Sequence, residues 1–405
     1  MKPAFSSEAL QRRIRQKVQG LPQDFRVVAH PGFEETVAEE IREILASSPS
    51  FQSDSLQTSL GGVEFSGRME DLWRLHILAR TPSRICLRIA QFKATQFPEL
   101  VRKISQLPWE LYMSPHAEGS IQVSAHHSRL IHSEAIEERV AAGIAQRLSP
   151  WRSVLPQPEK PLPAQTVFVR MADDFCSISL DGSGDLLFKR GYGKHTGAAP
   201  LRDTLAACIL RWAGWSQCDR LVDPMSGSGT FSLEAFLERS ADHIPGRMRS
   251  FAFEGWPCFR PATYQYLLSH SAKFNHPLVA ISAADSEAMA VRILRHNLAT
   301  VGADGNIDVR QIDFFHDPEI QEPFCRTTCL VVLNPPYGIR LPQGQTAFYK
   351  AIGERLRLRY AGCRFAIICP SPEERDALGL RWEKQVLTRN GGLDVAVICG
   401  RLPEE

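Results

Sequence analysis

Asn334-Pro335-Pro336-Tyr337 follows the apolar run Leu330-Val331-Val332-Leu333, and its chemistry can be read residue by residue. Two prolines remove two backbone donors and stiffen the loop, which leaves carbonyls facing outward. The Asn334 amide oxygen and the Pro335 carbonyl can then accept both hydrogens of an exocyclic amine. Density drawn to that nitrogen aims its lone pair, and Tyr337 offers a ring face on which a flipped base can stack. The alternative for these four residues is a plain proline turn. Only five Asn occur in the chain, which weighs against a chance tetrapeptide.

Upstream, Asp223-Pro224-Met225-Ser226-Gly227-Ser228-Gly229-Thr230 lies between an apolar run and a helical pattern. Glycines there let the backbone turn tightly and approach a ligand at the carboxyl end of a strand. The third glycine of the dinucleotide fingerprint is missing, and no Lys-Ser/Thr follows as in a phosphate-binding loop. A loop that does not prepare for phosphates suits a nucleoside with an amino-acid tail, whose ammonium Asp223 can hold through water or backbone. Asp285 ends the next apolar run, where a carboxylate can accept ribose hydroxyls. It is equally suited to cap the helix expected over 286–297. Asp313-Phe314 offers an acceptor for an adenine amine and a ring face, or else a capping Asp before a buried Phe.

These residues need a scaffold that brings loop ends together. From residue 197 the pattern alternates: helix 201–212, strand 221–223, helix 230–237, then strands 279–284, 307–312, 329–333 and 365–369 between helical segments. That alternation predicts an α/β Rossmann-like domain with a doubly wound, mostly parallel sheet. The preceding half mixes strands at 25–29, 85–89 and 121–125 with helices through Val37–Leu45, Leu72–Leu78, Leu100–Ile104 and Ile136–Ile144, as small α+β modules do. Pro150, Pro156, Pro158, Pro161 and Pro163 mark a long loop. Two more strands follow it, so the boundary is set near residue 190.

The 405 residues suggest two to three domains. A net charge of +2 excludes a polyelectrolyte, so any nucleic acid must be held by local patches. No run of 18 apolar residues is present, which excludes a spanning helix. The N-terminal stretch has no apolar core of a secretory signal, so a cytoplasmic chain is expected. Arg12, Arg13, Arg15 and Lys17 read as a solvated leader over residues 1–20. Ten scattered cysteines are expected to be reduced core residues, because Cys325 and Cys329 lack a second pair with zinc spacing. His126, His127 and His132 have no completing ligand set, so no metal is expected. The basic segment Lys189–His195 is either an RNA-phosphate contact or a solvated hinge.

The order DPMSGSGT, AADSEAMAVRILRHN, LNPPYGIRL resembles class I S-adenosylmethionine-dependent methyltransferases acting on exocyclic amines. KRGYGKHTGAAPLRDTLAACIL (189–210) and RSFAFEGWPCF (249–259) narrow the resemblance to THUMP-domain-containing RNA guanine-N2 methyltransferases, above all the bacterial 23S rRNA type. GGVEFSG (61–67), ARTPSRICLRIAQF (79–92) and HHSRLIHSEAIEERV (126–140) agree with it. The resemblance implies a ferredoxin-like module over 21–68, a THUMP RNA-binding domain over 69–189 and a methyltransferase domain over 190–405. That last span would then be a self-contained cofactor-binding fragment. The implied cofactor is S-adenosyl-L-methionine. Asp223, Pro224, Gly227, Gly229 and Thr230 would face its methionine end, Asp285 its ribose, and Asp313 with Phe314 its adenine. Asn334, Pro335, Pro336 and Tyr337 would hold the target base, with Asn334 also near the cofactor. Ser226 stands where the family often has Cys, and Arg389-Asn390-Gly391-Gly392 departs from the usual aromatic-Asn-Gly pattern, so Asn390 receives no role. The implied partner is RNA: 23S rRNA first, tRNA as the alternative, with no membrane and no metal. Adenine-N6 methylation of DNA and an inactive RNA-binding module are the competing readings. The oligomeric state is not legible.

Overall fold

The basic leader is helical. Ser6 accepts a hydrogen bond from the Ala9 amide at 3.0 Å and caps α1 (Ser7–Lys17), which buries Leu10 and Ile14 at helical spacing. Arg13 reaches the fully buried Glu110 at 2.6 Å. A solvated leader was expected; the apolar stripe and this ion pair make it a docked helix. The computed structural model describes residues 5–195, 201–240, 243–271, 279–316, 328–336 and 345–404. No helix among the described residues is long and apolar enough to cross a membrane.

The chain forms two compact units. The first contains the residues up to Val28, Glu40–Leu187 and Arg249–Ser271; the second contains Ala29–Glu39, Phe188–Met248 and Ala272–Glu405. Strands β1 (Gln23–Val28), β2 (Gln57–Ser59), β3 (Gly62–Gly67), β4 (Arg84–Lys93), β5 (Gly119–His126), β6 (Gln165–Ala172) and β7 (Phe175–Asp181) build one sheet in the first unit. Its order is β2-β3-β1-β4-β7-β6-β5. The ferredoxin-like and THUMP spans expected as separate modules therefore share one continuous sheet, joined where β4 pairs with β1 on one side and β7 on the other. Alternation decides its faces: Phe25, Val27, Ile85, Leu87, Val167 and Val169 are buried, while their neighbours in sequence, Cys86 apart, are not. Helices α2 (Glu34–Leu45), α3 (Met69–Leu78), α4 (Phe97–Gln106) and α5 (Ser133–Arg152) come between these strands in sequence.

The second unit opens with α6 (Asp203–Trp212), β8 (Arg220–Asp223) and α7 (Thr230–Arg239). After α8 (Pro261–Ser269) come β9 (Ala280–Asp285), α9 (Ala288–Thr300), β10 (Ile307–Gln311), β11 (Cys329–Leu333), α10 (Gln345–Arg359), β12 (Arg364–Cys369) and α11 (Pro372–Ala377). Strands β13 (Lys384–Asn390) and β14 (Leu393–Arg401) close the sheet, whose order is β10-β9-β8-β11-β12-β14-β13. Neighbours from β10 to β12 run parallel, and β14 is antiparallel to both its partners. This is the doubly wound, mostly parallel sheet that the alternation predicted. One face of it packs Val331, Leu333, Phe365 and Ile367 against Tyr349, Ile352 and Leu356 of α10.

Two placements differ from the sequence reading. The β13–β14 hairpin was not anticipated, although Gly391 and Gly392 at φ 58° and 90° make a two-residue turn matching the strand twist. Residues 249–271, expected within the methyltransferase span, pack with the first unit. Phe251 and Phe253 each lie 4.9 Å from the buried His76 ring, and Trp256 donates to Gln165 at 2.6 Å. Aromatic burial, not chain order, decides where this segment belongs. The nine described cysteines are buried, and no disulfide joins any of them.

Candidate active site

Strand order reverses between β8 and β11, and in open α/β sheets ligands bind beyond the carboxyl ends at such a point. Register pairs Leu221 with Leu330 and Val222 with Val331. Asp223 therefore lies beside Val332, and Asn334 leaves the neighbouring strand two residues further on, with the strands about 4.8 Å apart. On the other side Asp223 pairs with Ala283, so Asp285 also projects two residues further. Three strand ends bring Asp223, Asp285 and Asn334 to one edge of the sheet.

Asp223 is 1% exposed. Its Oδ2 accepts from the Ser232 hydroxyl at 2.8 Å, while Oδ1 is buried with no hydrogen-bond partner among the described residues. Burial pushes its carboxyl up to about 7; the Ser232 hydrogen bond pulls the other way, and the charge of Asp285 adds to the rise. Beyond it the loop is pinned to β9, because the Ser226 amide donates to Ala284 O at 2.9 Å. The Ser226 hydroxyl is also buried and has no partner among the described residues.

The two glycines have different reasons to be glycine. Gly227, at φ 54°, donates its amide to Asp285 Oδ2 at 2.8 Å, and a Cβ there would meet nothing within 4 Å. Its backbone borders open space. Gly229, at φ 83°, would set a Cβ 2.1 Å from Leu294 Cδ1 on α9, so close helix packing demands it. Asp285 uses both oxygens locally, on Gly227 and on the Glu287 amide at 3.0 Å. It ends β9, caps the approach to α9 and anchors the loop, with lone pairs left for a further donor.

Several sequence-derived candidates are engaged elsewhere. Thr230 is buried; its hydroxyl accepts from Lys194 Nζ at 2.8 Å and lies 3.4 Å from Leu201 O. Lys194 also pairs with Asp203 at 2.8 Å, and Arg190 makes a buried two-pronged pair with Glu234 at 2.9 and 3.0 Å. Arg190 and Lys194 are thus internal ties, not the free phosphate contacts considered for 189–195. Phe314 is 3% exposed inside the core against Tyr360, so it shows no ring face to a ligand. Asp313 is half-exposed and is held below the usual carboxylate range by the Phe315 amide and His316. Pro224 is buried under the loop.

Asn334 is half-buried, yet its amide oxygen is shielded and has no partner among the described residues. Pro335 is buried and Pro336 half-buried beside it. Tyr337 lies outside the described residues. Sequence reasoning gave Asn297 no role. It is fully buried, accepts from the His195 amide at 2.8 Å and donates to His195 O and Ser228 O at 2.9 and 3.0 Å. This side chain ties the glycine loop to the 189–195 segment. An Asn on the apolar stripe of a helix was the available signal.

Residues 24–86 match the RlmL ferredoxin-like domain, and residues 190–396 match the RMKL-like methyltransferase domain. The ribosomal RNA large subunit methyltransferase K/L of Syntrophotalea carbinolica is 29% identical over 95% of this chain and 54% of that protein. Its namesake in Allochromatium vinosum is 31% identical over 84% of this chain and 47% of that protein. The chain spans about half the length of both relatives. The crystal structure of SMU.472 complexed with SAH shares the fold, with a TM-score of 0.79 at 24% identity over 95% of this chain and 99% of that one. A domain match across half of the chain, on the sheet whose switch point carries these strand ends, means that this chain belongs to the RMKL-like methyltransferase-domain family.

Proposed function

We propose that the chain transfers a methyl group from S-adenosyl-L-methionine to the exocyclic N2 of a guanosine in RNA, with 23S rRNA as the substrate. The observation that carries this reading is a pair of buried oxygens, Asp223 Oδ1 and Asn334 Oδ1, on adjacent strand ends, neither satisfied by any of the described residues. A buried acceptor left without a donor costs about 1–3 kcal/mol. An ammonium at the first and an aromatic amine at the second would satisfy both. The residues present fit this cofactor: a buried carboxyl for the ammonium, an open backbone at Gly227, and Asp285 with spare lone pairs for a ribose. When bound, the cofactor supplies an electrophilic methyl group on a sulfonium.

Asn334 is a neutral amide and cannot remove a proton from the amine. Its oxygen, with the Pro335 carbonyl, orients the two amine hydrogens so that the lone pair faces the methyl. The nitrogen would attack first, its new bond to the methyl carbon replacing the carbon–sulfur bond so that a neutral thioether leaves, and the extra proton would pass afterwards to water. Rate comes from placement of the amine in line with the methyl and its sulfur. The residues 69–189 supply RNA capture as a THUMP domain, in keeping with the rRNA methyltransferase name of the relatives.

The test incubates the chain with labelled S-adenosylmethionine and unmodified 23S rRNA or tRNA, then digests the RNA for nucleoside mass spectrometry. N2-methylguanosine in 23S rRNA is expected. Label in tRNA alone would move the substrate assignment, N6-methyladenosine would overturn the base, and no label on any RNA would leave an inactive binding module.

A further inference from the structure

We infer that the open face of the first unit's sheet is a platform for an unpaired stretch of RNA. The inference rests on the reading of RNA as substrate and adds a surface to it. A groove of about 580 Å³ lies on this face, across strands β1, β4, β6 and β7. It falls within the range of about 300–1,000 Å³ typical of small-ligand sites, with room for a base or two and not for a duplex.

Period-2 alternation puts Phe168 and Arg170 of β6 on the face opposite the buried Val167 and Val169. Register seats Phe168 between Ser179 of β7 and Gln122 of β5, and Arg170 between Ser177 and Ser124. The cross-strand neighbours of both are short hydroxyl or amide side chains, which can hydrogen-bond base edges. Phe175, at the start of β7, is 56% exposed, an unusual place for a phenyl ring in a water-facing strand.

Charge selects the partner. Arg26 and Arg88 share Glu64, and Arg84 pairs with Asp181. Arg170 is exposed and makes no ion pair among the described residues. Four guanidiniums thus line a groove whose one lining carboxylate is Glu64, while Asp181 is buried and pairs with Arg84. Arg84 also lies over the Phe168 ring, 5.2 Å from its centroid. Aromatic rings on a sheet, with arginine beside them, match stacked bases and their phosphates. An acidic peptide would use the charge and leave the two rings without a role.

The test measures fluorescence anisotropy of a labelled single-stranded RNA oligonucleotide with the full chain and with Phe175→Ala and Arg170→Gln. Both side chains are exposed enough for the variants to fold, which circular dichroism checks. Phe175→Ala is expected to weaken single-strand binding by roughly 5- to 100-fold, the range for one lost base stack. Arg170→Gln is expected to lower the slope of log affinity against log salt by about 0.7, one phosphate contact. Wild-type affinity and salt slope in both variants would overturn the proposal, and so would displacement of the RNA by polyglutamate at equal charge. A duplex of the same sequence losing as much affinity as the single strand would overturn it too. The readout is independent of methyl transfer. Binding that depends on these residues without any transfer would sink the enzymatic reading alone, whereas transfer with unaltered RNA binding in the variants would sink the platform alone.

Discussion

At the residue scale, Asp223 links burial to ligand charge. Its folded-state value near 7 stands above the ordinary carboxylate value of 3.8. Ionisation is therefore disfavoured in the folded protein, and the stability it contributes below pH ~4 is lost as pH rises toward 7. Asp223→Asn should gain on the wild type across that window in ligand-free thermal melts, with a constant gain above it. A difference in Tm that did not change with pH would show that the carboxyl is already ionised. Cofactor binding should behave in the opposite way. Wild-type affinity for S-adenosylmethionine should rise between pH 6 and 8 as the carboxylate forms, while Asp223→Asn should bind weakly and without that slope, by calorimetry. Asn334 belongs to the chemical step instead. Asn334→Ala should leave cofactor affinity nearly unchanged and cut single-turnover methylation about 100- to 1,000-fold, the usual cost of one oriented polar group. Wild-type turnover would remove its amine-holding role.

At the element scale, the loop between β8 and α7 separates binding from packing. Gly227→Ala and Gly229→Ala both force a side chain into left-handed backbone, a strain of about 1–3 kcal/mol each. Only the second also drives a methyl into Leu294 of α9. The Gly229 variant should therefore melt several degrees below the Gly227 variant. The Gly227 variant should show the larger loss of cofactor affinity relative to its loss of stability, because its new methyl enters open space beside the loop. Equal melting temperatures would mean that α9 shifts freely and that Gly229 is not a packing constraint.

At the scale of the whole molecule, the second unit is not one stretch of chain. Phe33, fully buried, packs edge-on to Trp212 at 5.9 Å, and His30 shares a hydrogen bond with Thr204 at 2.9 Å. Both come from residues 29–39. The segment 249–271 lies inside the sequence of the unit yet buries Phe251, Phe253 and Trp256 in the other one. A fragment of residues 190–405 keeps every strand of the second sheet but loses Phe33 and exposes that aromatic segment. It should aggregate, or run expanded on gel filtration without near-ultraviolet dichroism. A monomeric fragment with a cooperative melt and intact S-adenosylmethionine affinity would restore the expectation that 190–405 is self-contained.

What could be read from the sequence was whatever depends on neighbours along the chain. Strand–helix alternation revealed the doubly wound sheet, and the strand ends at Asp223, Asp285 and Leu333 lay within a residue of where the pattern put them. The glycine spacing and the Asn-Pro-Pro loop carried their own stereochemistry. What only the tertiary structure decided was which side chains are covered and by what. Phe314 follows a capping Asp in a way that suits a ligand pocket or a core, and Tyr360, 46 residues later, makes it core. Arg190 and Lys194 read as a basic patch until Glu234 and Asp203 neutralise them. Residues 249–271 continue a methyltransferase sequence and yet fold around His76. Burial and ion pairing are sums over contacts between residues distant in sequence, so local pattern names the candidates and the folded chain selects among them.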